Sequence, residues 1–132
     1  MVGILVFILR FCVPYFYDYG FRFVGSDATN SFGNAYVDIS NGSFVMRFVS
    51  DKDQLQLSFI KEATGAKEYS IDLVYQLVSG TVGETGLLVD RYGLFLAQYA
   101  QDIIVVFKDE NWSNTQKMLE QYQEERSKRM WG

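Results

Sequence analysis

The chain has 132 residues, 48% of them hydrophobic and 22 aromatic (11 Phe, 9 Tyr, 2 Trp), with 12 Lys and Arg against 16 Asp and Glu for a net charge of −4 and no histidine. Without an imidazole, the commonest nucleophile–base pairs, transition-metal sites and pH switches cannot be built. The negative charge is the wrong sign for a phosphate backbone, so nucleic acid is excluded as the expected partner and a basic protein surface is favoured.

The length and apolar content suit a single domain over 1–132. Cys12 is the lone cysteine and has no partner for an internal disulfide, which makes a reducing cytoplasm the expected compartment. Between Phe11 and Val13 it reads as a small buried hydrophobe rather than a reactive thiol. Residues 1–9 are almost wholly apolar, but the run lacks the preceding positive charge and the following cleavage site of a secretory signal. Arg10 and Pro14 interrupt it and Asp18 closes it, short of the ~20 apolar residues a membrane span needs. The expectation is a buried helix over 1–17, broken near Pro14, with no membrane partner. A misassigned start codon would instead make the first residues an extension.

From 21 to 60 apolar residues recur with period two. Asn41-Gly42 is a strong hairpin signal, because both residues tolerate positive φ. A two-residue turn there sets Ser40 opposite Ser43, Ile39 opposite Phe44, Val37 opposite Met46 and Ala35 opposite Phe48. A second turn at Asp51-Lys52 then pairs Phe48 with Leu55, Met46 with Leu57 and Phe44 with Phe59, so one face is continuously apolar. Phe21-Arg22-Phe23-Val24 adds a fourth strand, joined by a polar loop over 25–31. The other face carries Tyr36, Asp38, Val45, Arg47, Val49, Gln54, Gln56 and Ser58. Tyr36, Arg47 and Gln56 fall in one row, with Asp38 diagonal to Arg47. Such a face either meets water or binds a partner.

After residue 60 the period becomes helical. Ser70 caps a helix over 71–79, with Ile71, Val74, Tyr75 and Val78 on one stripe and Gly80 ending it. Residues 80–86, Gly-Thr-Val-Gly-Glu-Thr-Gly, lack the Gly-Lys-Ser/Thr ending of a phosphate loop and read as a flexible connection. Residues 91–107 predict the main core helix through Tyr92, Phe95, Leu96, Tyr99, Ile103, Val106 and Phe107, with Asp90 as its cap and a strand over 103–107 as the alternative. Ser113 and Gln116 form a capping box that opens a polar helix to about 128, buried through Met118, Leu119 and Tyr122. Glu124 with Lys128 and Glu125 with Arg129 have the favourable i to i+4 order. Met130 and Trp131 either pack back on the core or form an exposed apolar tip.

The fold expected is α+β: an antiparallel β-meander of three to four strands over 21–60, helices packed on one face, in the order α-β-β-β-β-α-α-α, with 70–129 as the helical half. No catalytic, cofactor or metal site is expected. Asp51 with Asp53 and Asp109 with Glu110 lack the Gly and closing Glu of a calcium loop. A serine or threonine nucleophile would need a lysine or an N-terminal amine as base, and no Ser-x-x-Lys motif is expected in the chain.

The element order resembles that of small bacterial immunity-type proteins encoded beside secreted toxins. The resemblance covers about 20–129 and is carried by Gly20-Phe21-Arg22, Ser31-Phe32-Gly33-Asn34, Arg47-Phe48 followed by Gln54, Ile71-Asp72-Leu73-Val74, and the spacing Asn111, Thr115, Leu119. It implies a cytoplasmic protein that binds and blocks a cognate toxin. From the residues themselves, an acidic, tyrosine-rich chain suits protein recognition, because tyrosine supplies contact area at low entropic cost. The expected binding residues are Tyr36, Asp38, Arg47, Gln54 and Gln56, facing another protein such as a basic toxin domain. Two alternatives stand beside this. One is a small ligand-binding protein or an enzyme working through carboxylates or tyrosines. The other is a subunit of a homodimer or larger homo-oligomer, joined through its apolar N-terminal segment.

Overall fold

The computed structural model describes residues 1–28, 34–52, 54–62 and 67–131, so Ser31, Phe32, Gly33, Asp53 and the side chain of Trp131 lie outside the described residues. The order is α1 (Val2–Phe11), α2 (Val13–Asp18), β1 (Arg22–Ala28), β2 (Ala35–Ser40), β3 (Phe44–Asp51), β4 (Gln54–Lys61), β5 (Glu68–Ser70), α3 (Ile71–Ser79), α4 (Asp90–Gln98), α5 (Ala100–Val106) and α6 (Asp109–Trp131). The α+β class and the antiparallel meander stand. The strand count is five, in the order β1-β2-β3-β4-β5, rather than three or four, and two helices precede the sheet where one was expected.

The N-terminal break lies at Cys12, two residues before Pro14. Pro14 sits in the first turn of α2, where a missing N–H costs nothing because that donor has no partner within the helix. Ile4, Phe7, Ile8 and Phe11 of α1 are buried, and Phe11 packs so close to Gly93 of α4 that a Cβ there would enter its ring. Glycine is the residue that lets these two helices touch. No helix among the described residues is long and apolar enough to cross a membrane.

Both hairpins keep the expected faces but slip by two residues. Ser40 pairs with Val45, Ile39 with Met46 and Val37 with Phe48. Asn41 does not adopt positive φ. Its Oδ1 accepts from the amides of Ser43 (2.9 Å) and Phe44 (3.3 Å), and Gly42 alone turns left-handed at φ 90°. The second hairpin closes with Asp51 opposite Gln54 and Lys52 at φ 51°, so Phe48 meets Leu57 and Met46 meets Phe59. A slip of two preserves side-chain parity, which is why the core face survives the error. β1 continues through 25–28 instead of ending at Val24, with a bulge between Phe23 and Gly25.

The buried face is an aromatic pile. The Phe44 ring stacks on Phe107 at 4.4 Å between centres, Phe107 on Phe59 at 5.5 Å and on Trp112 at 5.6 Å. Tyr15 is fully buried, and its hydroxyl donates to the carbonyl of Leu96 at 2.8 Å, tying α2 to α4.

In the helical half, α3 begins and ends where its flanking Ser70 and Gly80 predict, with Gly80 at φ 77°. The helix expected over 91–107 is two, broken at Tyr99, and residues 103–106 are helical rather than strand. The last helix starts at Asp109, so Ser113 and Gln116 lie inside it and form no cap. Glu124 pairs with Lys128 at 3.4 Å, whereas Glu125 accepts from Gln121 at 3.2 Å. Met130 is exposed.

Lys61 is the outlier of the core face. Its side chain is 2% exposed, and its ammonium donates to Ser43 Oγ (2.8 Å) and the Phe107 carbonyl (2.7 Å) and pairs with Asp109 (2.7 Å), itself 88% exposed. Removing the ammonium leaves the buried Phe107 carbonyl with the Ser43 hydroxyl alone and opens a cavity, whereas neutralising Asp109 takes the countercharge from a buried ammonium but keeps an acceptor for it. Lys61→Ala is therefore expected to cost about 2–4 kcal/mol in urea denaturation, and Asp109→Asn less, about 1–2 kcal/mol.

Burial pushes the Cys12 thiol from 9.0 up to about 12, and it raises the Tyr15 phenol above 10.0 as well. The fold thus favours the protonated forms. Their contribution is complete below the ordinary values and is lost as pH rises through them, for Cys12 at up to about 1.4 kcal/mol per pH unit above 9. Urea midpoints are expected to stay level to pH 8.5 and then fall. Cys12→Ala should remove the fall between pH 9 and 10 while leaving the part above 10, and native Cys12 should resist alkylation at pH 8.

Candidate binding face

Strand alternation turns Tyr36, Asp38, Val45, Arg47, Val49, Gln56 and Ser58 away from the core, and the observed register decides which of them meet. Asp38 lies directly opposite Arg47, not diagonal to it, with Ser58 completing the row. Tyr36, Val49 and Gln56 form the next row. The Arg47 guanidinium donates through Nε to Asp38 Oδ1 (2.9 Å) and through Nη2 to Oδ2 (3.0 Å), a two-point fork. The same group lies 5.4 Å from the centre of the Tyr36 ring and 3.9 Å from Glu68. The hydrogen bond to Asp38 holds Arg47 above its ordinary range, so it stays charged at any accessible pH.

Tyr36, Asp38 and Arg47 therefore form one cluster. Tyr36 and Arg47, with Asp27, Val49, Asp51 and Glu68, line a shallow depression of about 690 Å³. Its ionisable lining is three carboxylates and one guanidinium, a sum of −2 before Asp38 is counted. Gln54 and Gln56 stand apart. Gln54 is exposed at the tip of the hairpin, and Gln56 borders a separate hollow of about 390 Å³ with Ser58, Ser70, Gly86 and Arg126. Sequence reading missed Asp27, Asp51 and Glu68 as members of the depression. Asp27 lies in the part of β1 taken for loop, Asp51 was assigned to a turn, and Glu68 belongs to a three-residue strand too short to show a period.

Two further polar clusters are structural. Arg126 of α6 reaches Ser70 Oγ (2.8 Å) and both oxygens of buried Asp72 (3.1 and 3.0 Å), docking α6 on the start of α3. A Ser-x-x-Lys spacing does occur, contrary to expectation, at Ser58-Phe59-Ile60-Lys61. On a strand that spacing puts the two side chains on opposite faces. The serine that Lys61 touches is Ser43, beside a hollow of about 670 Å³. The amine nevertheless cannot serve as its base: its three hydrogens are matched by three acceptors, Ser43, Phe107 and Asp109, and the Ser43 hydroxyl itself donates to the Phe107 carbonyl at 3.1 Å. Among the described residues no three metal-ligating side chains converge. The geometry suits charge recognition.

Asp38 is only 12% exposed and relies on Arg47, which is 36% exposed. Arg47→Ala is expected to destabilise by about 1–3 kcal/mol through the stranded carboxylate, and Arg47→Lys by less, because one contact replaces two. Thermal melts of the two variants check the order. No protein-family model, curated protein or solved structure matches the chain.

Proposed function

We propose that this chain is a non-catalytic protein-binding module of the cytoplasm, one that holds a basic partner as an immunity protein holds its cognate toxin, through the outer face of its sheet. The observation that carries the reading is the electronegative depression around Arg47, three carboxylates against one guanidinium on the face turned away from the packed core. A lysine or arginine of the partner fits it by charge, with the apolar stem of that side chain lying along Val49 and the Tyr36 ring. Arg47 does not repel such a guest as a free cation would, because Asp38 compensates it. Its place is fixed before binding, so little side-chain entropy is lost there. The Asn111, Thr115, Leu119 spacing contributes to the fold, since Asn111 and Thr115 donate to the carbonyls of Val105 and Val106 at the end of α5.

Co-expression with the toxin-like product of a neighbouring gene is expected to protect the host and to yield a complex that survives gel filtration. Glu68→Arg and Asp51→Arg should each weaken that complex by at least about tenfold, with binding falling as salt is raised. Absence of both protection and complex discards the reading. A complex indifferent to both reversals moves the interface elsewhere.

A further inference from the structure

The first strand is the edge of the sheet, and six of its seven residues are exposed. An open edge of this length presents unpaired amides and carbonyls to any complementary strand. Beside it the surface is apolar. Leu9 of α1 is 71% exposed, Tyr17 of α2 84%, and Phe23 and Val24 of β1 56% and 53%. Leu5, Leu9, Val13, Phe16, Tyr17 and Phe23 line a groove of about 320 Å³ between these helices and the strand. A continuous apolar groove running into an open strand edge is a shape that protein interfaces cover.

We propose that β1 is the seam of a symmetric dimer, in which it pairs antiparallel with β1 of a second copy to form a ten-stranded sheet. Charge and register select the occupant. Arg22 lies opposite Ser40 and Asp27 opposite Tyr36, so both point to the outer face of the sheet. A two-fold axis between Val24 and Gly25 sets Arg22 of each copy opposite Asp27 of the other, two ion pairs from one strand sequence. The same register places Phe23 opposite Ser26 on the inner face, so each phenyl ring meets a small residue and reaches toward the apolar groove of the other copy. An isologous interface requires such self-complementarity, and a strand carrying one cation and one anion symmetrically about its centre supplies it. A lipid surface would also cover the apolar groove, but the chain carries a net charge of −4, which disfavours an anionic membrane. The seam does not depend on the function proposed above; it draws Asp27 of the depression into an ion pair and leaves Tyr36, Arg47, Asp51 and Glu68 open on each copy.

Sedimentation equilibrium of the full chain tests the seam. The expected result is a dimer whose dissociation constant rises at least about tenfold in Arg22→Asp and in Asp27→Arg. The double reversal should return it to within about threefold of the parent, because the pair is reconstituted. Leu9→Glu should weaken the dimer without a partner that rescues it. Arg22, Asp27 and Leu9 are all exposed, so far-ultraviolet spectra should be unchanged. A monomer at every concentration overturns the proposal, as does a dimer that responds to Leu9→Glu but not to the charge reversals. A monomer that floats with vesicles of zwitterionic and anionic phospholipid also overturns it and gives the groove to the membrane.

Discussion

One buried ammonium joins the two halves of this molecule. Lys61 occupies the last core-facing position of β4, where alternation calls for a hydrophobe, and it collects acceptors from three places: the hairpin at Ser43, the end of α5 at Phe107 and the start of α6 at Asp109. The carbonyls at a helix C-terminus carry partial negative charge and lack partners within the helix, so a cation there satisfies a need that the helix itself creates. Asn111 and Thr115 take the two preceding carbonyls. The turn between α5 and α6 is thereby closed by side chains as well as by backbone bonds from Lys108 to Val105 and from Asn111 to Lys108. Around it lies the aromatic pile of Phe44, Phe59, Phe107 and Trp112, which excludes water and makes each of those hydrogen bonds expensive to lose.

The remaining buried charges follow one rule. Asp38 and Asp72 are each nearly inaccessible, and each is held by an arginine that keeps part of its surface in water, Arg47 and Arg126. Arginine suits both places because its charge is never lost: Arg47 meets Asp38 with two nitrogens of its planar fork, and Arg126 meets both oxygens of Asp72 through Nη1. The two pairs nevertheless differ in what surrounds them. Arg126 lies across a helix start and fastens α6 to α3. Arg47 lies in an open row on the sheet, where acidic neighbours are left without a full complement of cations. The same chemistry serves assembly in one place and leaves an uncompensated acidic surface in the other.

Where a local signal decided the structure, it was readable from the chain. Ser70 and Gly80 bound α3 to the residue: Gly80 ends it in a left-handed turn, and Ser70 takes the N-cap position although its side chain bonds Asp72 and makes no cap bond. Alternation fixed which strand residues face inward, and the buried Val37, Ile39, Met46, Phe48, Leu57 and Phe59 all follow it. What could not be read was the count of residues in each turn, because Asn41 uses its side chain to bond the backbone and does not rotate to positive φ. The break at Tyr99 has no glycine or proline to announce it, and the apolar stripe runs through it unbroken. Asp109 and Glu110, an acidic pair without a calcium-loop pattern, are the acidic first turn of α6, where carboxylates oppose the positive end of the helix. The depression around Arg47 was half legible: strand residues announced Tyr36, Asp38 and Arg47, while Glu68 had too short a strand to be seen.

The hydrogen bond from Tyr15 to Leu96 spans 81 residues of sequence, and Phe11 beds against Gly93 in the same region. α1 and α2 pack in part on nearer segments, Phe7 on Phe48 and Tyr15 on Phe21, but their burial is complete only once α4, some eighty residues later, is in place. Until then part of an almost wholly apolar segment stays uncovered, the circumstance in which unfolded chains attract chaperones or one another. Contacts so distant in sequence also slow the search for the native state.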